Sequence, residues 1–169
     1  MEGLLNQARQ PQPGVSGGQP PVQESQGRQP DDQAMYERLV NTALEFIYSD
    51  VGTDMVLEGL QLSGADFVQN AGNVIAKVLM RLIISVRTSG SAIPAKMMLQ
   101  AGMELSAVVL DMAEQHDQLP NTEDGMLDNI FFAAITITGR ELPEDILTAQ
   151  ERQEIGQTLQ EVQQMKGGQ

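Results

Sequence analysis

From Asp31 to Met165 the apolar residues recur at three- and four-residue intervals with few breaks. That period places them along one side of an α-helix and predicts helices in series. Leu39, Val40, Ala43, Leu44 and Ile47 mark the first, which ends at Tyr48. Asp31 and Asp32 suit its N-terminus, where carboxylates meet free N–H groups and the positive end of the helix dipole. Ser49-Asp50-Val51-Gly52 reads as a break, after which Thr53 can cap a short helix bearing Met55, Val56, Leu57 and Leu60. Ser63-Gly64 is a second break. The next helix, expected from about Ala65 to Val86, has the widest stripe, from Phe67 and Val68 through Ala71, Val74, Ile75, Val78, Leu79, Leu82 and Ile83. A stripe that wide marks a central helix. Gly72 and Asn73 within it predict close packing or a kink.

Thr88 to Ser91 reads as a loop, and Pro94 stands where a first-turn proline belongs. The helix that follows carries Met97, Met98, Ala101, Leu105, Val108, Val109 and Met112 and ends near Gln115. Residues 116–125 form an acidic, turn-rich loop. Met126 to Thr136 is read as a helix with Ile130, Phe131, Ala134 and Ile135 inward, although the β-branched residues of 131–138 leave a strand as the alternative. Gly139 is expected to end that element, and Pro143-Glu144-Asp145 to start another helix. Gln150 to Met165 closes the series as a polar helix with a thin seam of Ile155, Leu159, Val162 and Met165. Such a seam either packs on its own domain or meets a partner helix. Residues 31–169 therefore read as one all-α domain, a compact bundle of five to seven helices with the last helix at the periphery.

Residues 1–30 differ in kind. They hold five prolines, seven glutamines and five glycines. Such a stretch buries too little apolar surface to offset the entropy of ordering and reads as a disordered arm. The alternative is an arm that docks on a neighbour through Leu4, Leu5, Val15 and Val22. Leu4 and Leu5 join Ile155, Leu159, Val162 and Met165 as candidate partner-binding residues.

Composition then narrows the chemistry. With 4% aromatic residues, no Trp and ten Met, the core must be aliphatic with methionine as gap filler. Met80, Met97, Met98, Met103, Met112 and Met126 either fill that core or line an adaptable groove. The net charge is −13, and the arm is neutral because Arg9 and Arg28 balance Glu2 and Glu24. The helical body thus carries the whole excess, with its few Lys and Arg scattered. No basic face is available for nucleic acid or anionic lipid, and basic protein surfaces are the expected partners. Absence of cysteine excludes disulfides and thiol chemistry. The longest apolar run, Val78 to Ile84, is interrupted by Arg81 and falls short of the ~20 residues of a membrane span. The N-terminal residues lack the apolar stretch of an export signal.

No reaction is named by any motif. His116 is the only histidine and lies in a loop. Asp111, Glu114, Asp117, Glu123, Asp124 and Asp128 suggest a calcium loop, but the alternate positions before Gly125 are Asp124, Thr122 and Pro120, and the calcium pattern needs an acidic or amide side chain at each, so two of the three fail. No glycine-rich phosphate loop follows a strand. The chain is read as a non-enzyme without catalytic residues, metal or cofactor.

A Pro/Gln arm, then MYERLVNTALEFIY, NVIAKVLMRLIISV and IPAKMMLQAGMELSAVVLDMAE, an acidic loop and final helices give an order that resembles the small acidic helical virion proteins of tailed bacteriophages. The resemblance covers about residues 32–150. It implies a minor structural, portal- or tail-associated, or ejected protein, located in the virion or host cytoplasm and not exported, with other subunits of an oligomeric assembly as partners. Scaffolding proteins are a related class, but many grip coat protein with a basic terminal helix, and here Glu151, Glu154 and Glu161 outnumber Arg152 and Lys166. The alternative function is a cytoplasmic helical adaptor or chaperone that binds a client helix in a Met-rich groove.

Overall fold

The computed structural model describes residues 30–62, 66–121 and 123–168; Leu4, Leu5, the arm and the Ser63-Gly64 break lie outside them. Six helices and no strand are found among the described residues: α1 Pro30–Ile47, α2 Asp50–Leu60, α3 Phe67–Thr88, α4 Ala95–Gln115, α5 Met126–Glu141 and α6 Ala149–Gly167. The chain is an all-α bundle, as its apolar period predicts. Residues 131–138 are helical, with Phe131, Ala134, Ile135, Ile137 and Thr138 buried. Burial of these side chains outweighs the modest helix penalty of β-branching.

Several boundaries differ from expectation. Ser49, not Thr53, caps α2: its hydroxyl accepts from the Gly52 N–H at 3.1 Å, while the Thr53 hydroxyl donates to the Ile47 carbonyl at 3.0 Å. The reversal between α1 and α2 is this tight because Gly52 lies against the Phe46 carbonyl, leaving no room for a Cβ. Asp66 caps α3, its carboxylate accepting from the Gln69 N–H at 2.8 Å. Gly139 does not end α5. The helix runs on to Glu141, and the Arg152 guanidinium donates to the carbonyls of Gly139 and Leu142, satisfying the helix end that a glycine turn would otherwise close. Pro143 starts no helix. Ile146 and Leu147 N–H groups bond to its carbonyl and close one turn, after which Thr148 turns extended to cap α6.

The wide stripe places α3 at the centre, as expected. It packs along α5, and against α2 and α4, while α1 lies mainly over α4 and α2. Gly72 brings α3 and α5 close together: a Cβ there would stand 2.7 Å from that of Ala133. Buried Asn70 donates to the carbonyls of Leu60 and Leu62, tying the end of α2 to α3. Tyr36 donates to the Glu104 carboxylate and joins α1 to α4. Met97, Met98, Met112 and Met126 are buried core residues, and Met80 and Met103 pack against the core from its edge. These methionines do not form an exposed groove. By length and composition alone α3 could cross a membrane, but half of its apolar window is buried in the bundle and Lys77, Arg81 and Arg87 lie along it.

Helix α6 is the outer element, resting on α4. It runs antiparallel to α5, the Arg152 side chain reaching the C-terminal end of α5 and Lys166 pairing with Asp128 in its first turn. Glu151 also pairs with Arg87 of α3. A reciprocal cap starts α6: the Thr148 hydroxyl accepts from the Glu151 N–H, and the Glu151 carboxylate accepts from the Thr148 N–H. Thr148→Ala is expected to cost about 1 kcal/mol. Amide exchange should quicken in α6 and stay unchanged in α3, because only one α6 residue, Ile155, is buried in the core.

Candidate interaction surfaces

The predicted seam on α6 is divided by depth. Ile155 is buried in the chain's own core, which corrects its assignment as a partner contact. Leu159 is half-buried against the same core and Val162 is half-buried. Met165 alone stands free, 70% exposed. The physical reason is the clamp described above. Arg87–Glu151 and the Arg152 contacts hold the N-terminal half of α6 to the bundle, while its last turns carry only the Lys166–Asp128 pair.

Three further exposed apolar side chains lie at and around α2. Tyr48 is 57% exposed, Val51 73% and Leu62 54%. Val51 and half-buried Met55 sit one turn apart on α2, beside exposed Asp50, Asp54 and Glu58. The opposite side of this short helix, Gly52, Val56 and Leu60, faces the core. The sequence signal was an apolar residue on both sides of an edge helix, one side more than such a helix buries.

A groove lies between α1 and α3. One end, a cavity of about 210 Å³, is lined by Met35, Arg38, Leu39, Leu82, Val86 and Ser89. The other, about 220 Å³, is lined by Ala43, Phe46, Val78 and Arg81, and the two share Thr42, Leu82 and Ser85. Arg81 stacks over the Phe46 ring, 5.0 Å from its centroid. Among the described residues neither Arg38 nor Arg81 is within ion-pair distance of a carboxylate. A smaller cavity, about 170 Å³, lies under α6 around Ile83, Met98, Leu147 and Ile155, beside the Arg87–Glu151 pair.

The residues weighed for other chemistry are placed apart. His116 is exposed and follows the last turn of α4, its N–H bonded to the Met112 carbonyl. Asp117 adopts the left-handed conformation (φ 55°), and bonds from Asp117 to Glu114 and from Gln118 to Ala113 close the helix. Asp128 is paired with Lys166, and Asp111 accepts from Gln115. No group of three acidic, histidine or cysteine side chains is gathered to hold a metal ion among the described residues.

Comparison with known proteins finds no matching family, no similar characterised protein and no similar solved structure.

Proposed function

We propose that the chain is a non-catalytic subunit of a larger protein assembly that makes its contacts through helix faces. Its setting is a tailed-phage particle, as a minor portal-, tail- or ejection-associated component. The observation that carries the reading is the set of large apolar side chains, Tyr48, Val51, Leu62 and Met165, left on the surface of a bundle whose own core is filled. The order and character of the helices supply the phage setting. The adaptor reading leaned on a methionine groove, and the buried methionines remove that support.

Light scattering on the eluting full chain tests the reading. A discrete oligomer, or retention of the chain in purified particles, is the expected result. A monomer at every concentration that is also missing from particles would overturn it. Comparison with a chain beginning at Asp31 assigns any contribution of the arm.

A further inference from the structure

We propose that the groove between α1 and α3 is the seat for the acidic-apolar face of α2 from a second copy of the chain. This rests on the assembly reading and names its contact. Both surfaces are incomplete alone, and they are opposite in charge. In a chain of net charge −13, two copies approach only where cations have been set at the contact. Arg38 and Arg81 are such cations, exposed and without a carboxylate partner among the described residues. Asp50, Asp54 and Glu58 are equally exposed and make no ion pair there.

The spacing also agrees. From Arg38 to Phe46, over which Arg81 stacks, α1 advances eight residues, about 12 Å of helix. Asp50 and Glu58 are separated by the same eight residues of α2, again about 12 Å. Carboxylates at the two ends of the α2 face therefore meet guanidiniums at the two ends of the groove. Val51 and Met55 lie between them, over the apolar floor of Leu39, Val78 and Leu82. The contact joins different patches on the two copies. It closes as a pair if each copy both gives and receives, and otherwise runs head to tail.

Charge reversal tests this with the full chain. One variant carries Arg38→Glu and Arg81→Glu, the other Asp50→Arg and Glu58→Arg. Each alone sets like charges against each other, and the apparent dissociation constant should rise about tenfold or more. Mixing the two restores opposite charges at every contact, and association should return. Val51→Ser, at a side chain 73% exposed, should weaken association without altering the helical circular dichroism or the denaturation midpoint. An oligomeric wild type that neither reversal weakens would overturn the groove contact and leave the assembly reading standing. Loss of association on removing residues 1–30 would overturn it in favour of the arm. A wild type that is monomeric at all concentrations would overturn both this contact and self-assembly.

Discussion

Replacing Gly52 with alanine is expected to destabilise the protein by about 3 kcal/mol or more, although glycine-to-alanine changes inside helices ordinarily stabilise by up to about 1 kcal/mol. The sign is inverted by the reversal between α1 and α2. A Cβ on Gly52 would lie 1.7 Å from the Phe46 carbonyl oxygen and 2.7 Å from its carbon. The obstacle is backbone, which cannot rotate aside as a side chain can. Relief requires α2 to lift away from α1, and that opens the contacts of Val56 and Leu60, both buried on the same side of α2. Urea denaturation followed by far-UV circular dichroism measures the effect, since the chain has no Trp to report by fluorescence. Gly156→Ala is the internal comparison. A Cβ there has nothing within 4 Å, so this change should stabilise by about 0.5–1 kcal/mol. If Gly52→Ala shifted the midpoint upward as well, the close packing of the two helices would be wrong.

Phe131→Ala is expected to cost about 3–5 kcal/mol, a large part of the roughly 5–15 kcal/mol that holds an ordinary domain together. Phe131 is among the largest fully buried side chains and packs with the tilted ring of Phe132, centroid to centroid 5.2 Å. Gly102 of α4 lies directly beneath it: a Cβ at that position would stand 3.4 Å from the ring and 2.8 Å from Ile135. The two helices meet at this point through the ring. On its other side α5 is held to α3 by the Gly72–Ala133 approach, so the helices cannot easily close over an emptied site. A partly unfilled cavity therefore remains, and its volume adds to the lost burial. Phe131→Leu, which refills most of the space, should cost about 1 kcal/mol. Equal midpoints for the two substitutions would place Phe131 outside the core.

Arg152 shows how a single residue divides what was readable from what was not. Its charge and its place in a polar helix were plain, and so was the apolar period of α5. Nothing local connects it to the carbonyls of Gly139 and Leu142, ten or more residues earlier, yet that contact lets α5 continue past a glycine. The same holds for the candidate contacts. Ile155 and Met165 belong to one seam by spacing, but one is buried and the other exposed, because the Arg87–Glu151 pair and the Arg152 contacts hold the first half of α6 to the bundle while a single pair, Lys166–Asp128, holds its last turn. Val51 read as part of a break, and Met55 as one of the apolar positions of the short helix after it. Only the placement of α2 at the edge of the bundle, with Val56 and Leu60 inward, leaves Val51 exposed and Met55 half-buried.

By itself the sequence determined the all-α class, the place and character of the main helices, the central rank of α3 and an aliphatic core with methionine as filler. It also determined the acidic charge of the body. Each of these follows from period, composition or local capping, which act within a few residues along the chain. The tertiary structure decided which side of α2 meets solvent, how far α5 extends, that Pro143 starts only a turn, and that Arg38 and Arg81 frame one groove. Those outcomes depend on groups brought together from distant parts of the chain, and burial and charge pairing between such groups outweigh local propensities of a few tenths to about 1 kcal/mol.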